Sequence, residues 1–204
     1  EYDYCINLGG FANISTEEYN QRIAYDICPV NIVLNKYVSE IGLEYDDKGQ
    51  ISSQGQISSP LLDKLNGLSF YKQVHPKSLG LEWVKDNIIP LIDYFELSLE
   101  DTLRTYVEHV AIQITSCLKN HSNSKILITG GGVYNSFLMK RIESLTNCQI
   151  IIPDKQLIEY KEALIFGLLG VLKLRNEVNC LSSVTGAKSN HSSGVIFNDL
   201  KHDL

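Results

Sequence analysis

The sequence lacks the patterns typical of metal-binding, disulfide-bonded and membrane proteins. Its five cysteines contain no Cys-x-x-Cys pair, and its five histidines show no metal-binding spacing, so we assign no metal ligand. An odd number of unpaired cysteines is typical of free thiols in a reducing compartment. No signal peptide is recognisable, and the longest apolar run, Ala163–Leu172, is too short to cross a bilayer. We therefore expect a cytoplasmic protein with no membrane partner.

The sequence also lacks an excess of positive charge. Its 24 acidic and 18 basic residues give a formal net charge of −6, which argues against nucleic acid as a partner. The net charge does not exclude small phosphorylated ligands, because local backbone geometry binds them. With 204 residues, 44% of them apolar, the chain has the balance of a globular domain. It begins without Met on strand-like residues, so we expect it to be part of a longer protein.

What is present begins as strands and continues as alternating helices and strands. Strands are predicted over residues 3–8, 11–15 and 23–27, with Gly9-Gly10 as a hairpin turn whose residues can adopt positive φ. The later predictions are a helix from Asn31 to near Gly42, a polar loop over 44–60, short helices over 60–66 and 80–87, a long helix opened by the capping box Ser98–Asp101, a strand over 125–129, a helix over 134–146, a strand over 149–152 and a helix over 158–175. Because the last helix is apolar on most faces, we expect it to be buried.

This order predicts an α/β fold, in which a mixed sheet has an antiparallel three-strand meander followed by β-α-β-α. It resembles one lobe of the ribonuclease-H-like, actin-like ATPase fold, in which two such lobes face each other across a nucleotide cleft. Residues 1–204 would form a single C-terminal lobe of a two-lobe protein. Residues 44–97 would form a helical and loop insertion within it.

Two glycine segments could contact a phosphorylated ligand. Gly9-Gly10 would leave backbone N–H groups bare for a phosphate, with Asn13 just beyond. The alternative, which physical grounds alone favour, is a plain hairpin turn. Gly130-Gly131-Gly132, between a strand and a helix and followed by Asn135, would let the backbone approach a flat or charged ligand. Its spacing is not that of a P-loop or Rossmann motif, and simple turn chemistry is the alternative.

Two carboxylates are further candidates. Asp26 ends an apolar strand before Pro29, where the ligand crevices of α/β sheets form, and it could act as a general base. Its alternative role is to cap the following helix. Glu162 opens the apolar final helix with Ala163, and a charge beside such a helix needs a partner or a cleft. The alternative is an ordinary carboxylate at a helix start.

Six segments, in order, resemble motifs of the anhydro-N-acetylmuramic acid kinase family and together cover nearly the whole chain. They are Asn7–Ile14 (Asn-Leu-Gly-Gly-Ile-Ala-Asn in the family), Tyr25–Asn31 (Phe-Asp-Thr-Gly-Pro-Gly-Asn), Pro76–Glu82 (Pro-Lys-Ser-Thr-Gly-Arg-Glu), Gly130–Asn135, Glu162-Ala163 and Val184–Ala187.

The resemblance implies a kinase, a transferase of amino-sugar and carbohydrate metabolism that acts in peptidoglycan recycling. It would hydrolyse the 1,6-anhydro ring of anhydro-N-acetylmuramic acid and phosphorylate O6, with ATP and Mg²⁺. The resemblance makes Asp26 the base that activates the attacking water, and it makes Glu162 and Lys77 sugar-binding residues. The residues expected on the nucleotide side are Gly9, Gly10, Asn13, Gly130, Gly131, Gly132 and Asn135.

The chain departs from the family pattern at three places. Ile27-Cys28-Pro29-Val30 replaces Thr-Gly-Pro-Gly, and Leu81 replaces an Arg that could pair with a carboxylate or phosphate. The family's N-terminal Gly-Thr-Ser-x-Asp-Gly loop is not in this sequence, so we expect the chain to be inactive without an N-terminal lobe. The alternatives are another sugar kinase of the same superfamily, or a non-catalytic actin-like module that binds a nucleotide or a protein. The oligomeric state stays open, a homodimer included.

Overall fold

The computed structural model describes residues 2–118 and 124–197. The strands are β1 (Tyr4–Leu8), β2 (Phe11–Glu18), β3 (Gln21–Pro29), β4 (Lys125–Thr129) and β5 (Gln149–Ile151). The α-helices are α1 (Asn31–Ser39), α2 (Ser59–Asn66), α3 (Leu81–Trp83), α4 (Ile89–Asp93), α5 (Leu99–Ser116), α6 (Ser136–Leu145), α7 (Lys155–Leu174) and α8 (Ser182–Thr185). Each predicted strand and helix is present, with ends shifted by a few residues.

The five strands form one mixed sheet in the order β3-β2-β1-β4-β5. Strands β1, β2 and β3 pair antiparallel as a meander, whereas β4 pairs parallel to β1 and β5 parallel to β4. This is the predicted arrangement, so the fold class, a ribonuclease-H-like (actin-like) α/β lobe, is confirmed. As a result, β1, β3 and β4 all end at the same edge of the sheet, which positions the loops that follow them.

One face of the sheet is closed by α5. The Ser98 hydroxyl accepts a hydrogen bond from the Asp101 N–H at 3.2 Å and so caps this helix, as its capping box predicts. Eleven residues of α5 are buried, among them Leu103 and Val107. They pack with alternate residues of the strands, such as Ile6, in one continuous core.

Residues 44–97 are mostly short helical turns. Single turns of 3₁₀-helix lie at Asp47–Gly49, Ser52–Gln54 and Ser69–Lys72. The predicted helix over 80–87 is longer than expected, because the π-helical segment Val84–Ile88 joins α3 to α4.

The prediction that the last helix is buried is wrong in this structure. Helix α7 contains no buried residue, and large apolar side chains such as Phe166 and Leu174 are exposed. The helix lies on the second face of the sheet, where Lys161 contacts Asn7 and Thr129. Most of its large apolar side chains are exposed. Among the described residues, no helix is long and apolar enough to cross a membrane.

Candidate active site

A row of polar side chains crosses four neighbouring strands near the edge where β1, β3 and β4 end. Asn7 of β1 lies opposite Asn13 of β2, which lies opposite Asp26 of β3. On the other side, Asn7 pairs with Thr129 of β4. Directly paired residues project from the same face of a sheet. This polar row of Asp26, Asn13, Asn7 and Thr129 therefore lies on the face opposite α5.

A β-bulge brings Asp26 into this row. Ala12 pairs with Cys28, but the next residue, Asn13, pairs with Asp26, so Ile27 is an extra residue in β3. An extra residue changes the face on which the following side chains project. The bulge therefore places Asp26 beside Asn13 instead of beneath the sheet.

The Asp26 carboxylate is held in position by the segment that follows the Lys77 loop. Its Oδ2 atom accepts a hydrogen bond from the Leu79 N–H at 2.8 Å, and its own N–H donates to the Lys77 carbonyl at 3.2 Å. The carboxylate is half-buried. It does not cap α1, because the N-cap residue of that helix is Val30 and no side chain accepts a capping hydrogen bond there. A fixed carboxylate at a sheet edge has the geometry that a general base needs.

The structure does not bring the amine of Lys77 into the polar row. It lies 3.4 Å from the Phe70 carbonyl, 4.6 Å from the centre of the Phe70 ring and 5.6 Å from that of Tyr25. Burial lowers the pKa of Lys77, while the nearby thiols of Cys117 and Cys28 act in the opposite direction. Its role as a sugar-binding residue stays a prediction.

Lys161 of α7 enters the polar row, and the sequence analysis did not identify it. Its amine donates a hydrogen bond to Asn7 Oδ1 and a second, of 2.9 Å, to Thr129 Oγ1. Burial lowers the pKa of this amine, and the neighbouring Glu162 carboxylate acts against that effect. The available signal was a lysine within an apolar helix, since such a charge requires polar partners.

Glu162 lies beside Lys161, and the prediction that it opens the final helix is wrong. Helix α7 begins two turns earlier, at Lys155, where the Asp154 carboxylate accepts a hydrogen bond from the Leu157 N–H at 2.8 Å. Glu162 is exposed. Its role as a sugar-binding residue is a prediction that these contacts leave open.

The Gly9-Gly10 turn serves mainly to hold the start of α1. The Gly10 carbonyl accepts hydrogen bonds from the N–H groups of Val30 and Ile32, at 2.8 and 3.3 Å. The Gly9 N–H was expected to be bare, but it donates to the Phe11 carbonyl at 3.1 Å. Neither glycine has positive φ, in contrast to the sequence expectation.

The second glycine segment lies directly against the end of β1. Gly130 has a φ of +87°, and a Cβ there would lie 2.6 Å from the Leu8 carbonyl oxygen. A Cβ on Gly132 would lie 2.7 Å from Leu8 Cβ, so both positions require glycine. Gly131, between them, has nothing within 4 Å of a Cβ and faces open space. The two glycine segments therefore meet at one sheet edge.

A cavity of about 570 Å³ opens beside this edge. Its lining consists of the start of α1, the 45–48 loop, the second glycine segment and the first turns of α7: Asn31, Leu34, Asn35, Tyr45, Asp46, Asp47, Lys48, Gly131, Tyr134, Asn135, Lys155 and Glu159. The size is that of a small-molecule site. Two tyrosine rings, three amides and two lysines give it groups that suit the base and phosphates of a nucleotide.

The wall of the cavity is fixed by the loop before α2. The Asp46 carboxylate accepts hydrogen bonds from the Ile51 N–H, the Ser52 N–H and the Ser52 hydroxyl, at 2.7 to 3.0 Å. Gly49, with a φ of +74°, packs against Asn135, whose side chain caps α6 by accepting from the Leu138 N–H at 3.0 Å. Asn135 thus both lines the cavity and anchors its rim.

The donor set suits a nucleotide better than a metal ion. Across residues 2–118 and 124–197, no three His, Cys, Asp or Glu side chains are grouped so that they could hold a metal. Asp46, the cavity's most buried acid, has its carboxylate engaged by the loop. We therefore derive no step through Mg²⁺ from this chain.

The strand order, the two glycine turns and the polar row at one edge define a lobe of the ribonuclease-H-like, actin-like class. A sequence model of the family "Anhydro-N-acetylmuramic acid kinase" matches residues 1–199, and the chain belongs to that family. Anhydro-N-acetylmuramic acid kinases of Sulfurovum sp. and Haemophilus influenzae are 31% and 32% identical to it, each over 94% of this chain. The chain spans about half the length of these relatives, 54% and 56% respectively.

Among solved structures, similarity is weaker. The activator of the 2-hydroxyisocaproyl-CoA dehydratase from Clostridium difficile, with bound ADPNP, aligns with a TM-score of 0.45 and 20% identity. The alignment covers 80% of this chain and 63% of that one. A likeness at this level has no bearing on function.

Proposed function

We propose that this chain is one lobe of an ATP-dependent kinase that opens the 1,6-anhydro ring of anhydro-N-acetylmuramic acid and phosphorylates O6. The reaction would belong to the recycling of cell-wall sugars in the cytoplasm. The observation that carries the proposal is that Asp26 shares one sheet edge with both glycine segments and with the nucleotide-sized cavity. Family membership adds the substrate class.

In this proposal Asp26 is the general base. A water oxygen bonds to the anomeric carbon while one of its protons passes to the Asp26 carboxylate. The bond from the anomeric carbon to O6 breaks, and its electron pair stays on O6. Asn13 and Asn7, beside Asp26 in the polar row, offer amide groups that can hydrogen-bond the sugar and orient it.

Phosphoryl transfer follows at the same edge. O6 forms a bond to the γ-phosphorus of ATP as the bond to the leaving ADP breaks. The cavity would hold the nucleoside, with Tyr45 and Tyr134 against the base and Lys48 or Lys155 near the phosphates. Mg²⁺ would shield phosphate charge when bound. Its ligands, and the rest of the phosphate contacts, would come from the other lobe.

The test is the Asp26→Asn substitution in a protein that carries both lobes. Asn keeps an oxygen for the Leu79 N–H but cannot accept a proton, so kcat should fall by about 10²–10⁴. KM and the melting temperature should change little. The matched control is Asp63→Asn, which removes an exposed carboxylate from α2.

Normal turnover in a stable Asp26→Asn protein would remove Asp26 from the mechanism. A second candidate function is a non-catalytic nucleotide-binding module, since the cavity has the size and the polar and aromatic groups that suit a nucleotide. The kinase proposal predicts no activity from the 204-residue chain alone, but activity once the other lobe is present. A two-lobe protein that binds ATP without phosphorylating the sugar would favour the module instead.

A further inference from the structure

Helix α7 brings a lysine into the polar row that the proposed mechanism has not used. The Lys161 amine donates hydrogen bonds to Asn7 Oδ1 on β1 and to Thr129 Oγ1 on β4, the second at 2.9 Å. Both partners are uncharged, and an ammonium group has three N–H donors. Within residues 2–118 and 124–197, no third acceptor is hydrogen-bonded to this amine. One N–H donor therefore remains for a bound molecule.

The amide of Asn7 shows on which side the amine lies. Because an ammonium group can only donate, the atom of Asn7 that faces Lys161 is the oxygen. A Cβ added to Gly130 would lie 2.7 Å from that oxygen, and a Cβ added to Gly9 would lie 3.3 Å from Asn7 Nδ2. The oxygen therefore faces the second glycine segment, and the amide N–H groups face the first. The Lys161 amine lies on the side of Gly130, whose neighbour Gly131 lines the cavity.

Lys161 and Asp26 lie toward opposite ends of the polar row. Asp26 is on β3, and Asn7, a partner of Lys161, is on β1, so two strand spacings separate them. At about 4.8 Å per spacing, the carboxylate and the amine are roughly 10 Å apart along the row. Inverting glycosidases hold their acid and base about 6.5–9.5 Å apart on opposite sides of the anomeric carbon, which leaves room for the attacking water. The separation in this lobe is of the same order.

The proposed ring opening needs positive charge at the Lys161 end of the row. Water approaches the anomeric carbon from the side opposite O6, because O6 leaves as the water oxygen bonds. If Asp26 holds that water, O6 faces away from Asp26, which is the direction of Lys161. The bond from the anomeric carbon to O6 breaks with its electron pair on O6, so O6 gains negative charge. A positioned N–H donor with a positive charge stabilises charge that develops in this way.

We propose that Lys161 is a second catalytic residue, whose ammonium group donates a hydrogen bond to O6 during ring opening and during the attack of O6 on the γ-phosphorus. The ammonium group keeps its own proton in both steps. The proton of the water passes to Asp26, and the electron pair of O6 forms the bond to phosphorus as the bond to ADP breaks. The position beside Gly130, between Asp26 and the cavity, serves both steps. The inference rests on the proposed function.

The first test is Lys161→Met in a protein that carries both lobes. Met keeps most of the side-chain volume but has no N–H donor and no charge, so kcat should fall by about 10²–10³. KM for the sugar and for ATP should change by less than about threefold, because the lost interaction forms in the transition state. The matched control is Lys173→Met in the same helix, whose amine lies 3.4 Å from the Ser192 carbonyl and should be dispensable for turnover. Melting temperatures of both variants show whether each is folded.

The second test is the pH profile of Lys161→Arg, which a purely structural lysine would leave unchanged. Burial lowers the pKa of Lys161, and the Glu162 carboxylate, the charged group beside it on α7, acts in the opposite direction. The amine loses its charge as the pH rises through this pKa, so kcat of the unchanged protein should fall at alkaline pH. Arg stays charged there, so the alkaline fall should be absent from Lys161→Arg. At neutral pH this variant should turn over faster than Lys161→Met.

Three results would overturn the role of Lys161: normal turnover in a folded Lys161→Met protein, a loss that appears in KM alone, or an Arg variant that is no more active than the Met variant or keeps the alkaline fall. If the unchanged protein phosphorylates the sugar and Asp26→Asn does not, normal turnover of Lys161→Met leaves the proposed function standing and removes this role. If the unchanged two-lobe protein does not phosphorylate the sugar, the proposed function fails and the role of Lys161 fails with it.

Discussion

The two long helices on opposite faces of the sheet differ sharply in burial. Helix α5 has 18 residues, of which eleven are buried, whereas α7 has 20 residues and none is buried. Yet α7 is the more apolar of the two sequences. The comparison teaches that composition measures how much surface a helix needs to bury, while the partners present determine how much it does bury.

The polar residues of the two helices differ in the same way. In α5 the Glu108 carboxylate accepts hydrogen bonds from Arg104 and Arg141 at 2.8 to 2.9 Å, which ties α5 to α6. Beside it, His109 is fully buried between Asn66 and Tyr71. These contacts are complete within the lobe. In α7 the corresponding polar contact, that of Lys161, is made toward the proposed active site.

The largest expected effect sharpens this comparison with one substitution on each helix. Leu103→Ala in α5 should lower the free energy of unfolding by about 2–5 kcal/mol, because it leaves a cavity at a residue that is 0% exposed. Leu168→Ala in α7 should lower it by less than about 0.5 kcal/mol, because that side chain is 57% exposed. Denaturant unfolding of the chain measures both. Equal losses would show that α7 is already covered in the isolated chain.

A smaller effect is expected from the carboxylate that joins α5 to α6. Burial raises the pKa of Glu108, but hydrogen bonds from Arg141 and Arg104 outweigh it and bring the pKa below its usual value. Glu108→Gln should therefore cost about 1–3 kcal/mol, because two guanidinium groups lose a charged partner. Glu159→Gln, at a half-exposed ion pair of α7, is the control and should cost almost nothing. Thermal unfolding of the two variants distinguishes them, and similar losses would contradict the contrast.

The last expected effect is a pH dependence that arises on the α5 side. His109 Nδ1 lies 2.7 Å from the Asn66 side-chain oxygen, which can only accept, and Nε2 lies 2.9 Å from the Tyr71 hydroxyl. Burial lowers the pKa of His109 to about 3, so the imidazole is neutral: Nδ1 donates to Asn66 and Nε2 accepts from Tyr71. Below about pH 6.5 His109 of the unfolded chain binds a proton, whereas His109 of the folded chain stays neutral until about pH 3. The free energy of unfolding therefore falls as the pH drops, by up to about 1.4 kcal/mol per pH unit.

The His109→Gln variant should show a flatter dependence of unfolding free energy on pH between 6.5 and 4. Substituting the exposed His191 by Gln should leave the slope unchanged, which controls for the loss of a histidine as such. Urea titrations at several pH values measure the slopes. An unaltered slope in His109→Gln would mean that His109 does not resist protonation.

Local patterns were enough to predict most of the fold. Alternation gave the strands, the Ser98 capping box gave the start of α5, and strand order followed from a meander that precedes alternating helices. The burial of α7 was predicted wrongly because periodicity registers an apolar surface without registering whether its partner lies in the same chain.

The candidate site was predicted less completely than the fold. Both glycine segments and Asp26 were identified as candidates, since glycine turns and strand ends can be read from sequence. Asn7 and Thr129 were missed, because their importance depends on pairing between strands that are distant in the chain. Lys161 was missed because its partner Thr129 lies on a strand that is distant from α7 in the sequence. The amine of Lys77 lies outside the polar row because it packs over the Phe70 ring.

The bulge in β3 determines the face of the sheet on which the Asp26 side chain lies. If the pairing of Ala12 with Cys28 continued without interruption, Asp26 would face Ile14, a residue buried in the core. The same carboxylate would then be a desolvated charge among hydrocarbon side chains, a strongly destabilising defect. The bulge takes up Ile27 as the extra residue and so keeps the half-buried Asp26 in the polar row beside Asn13. A difference of one residue in pairing, with no substitution at Asp26, therefore separates the proposed base from a buried and desolvated charge.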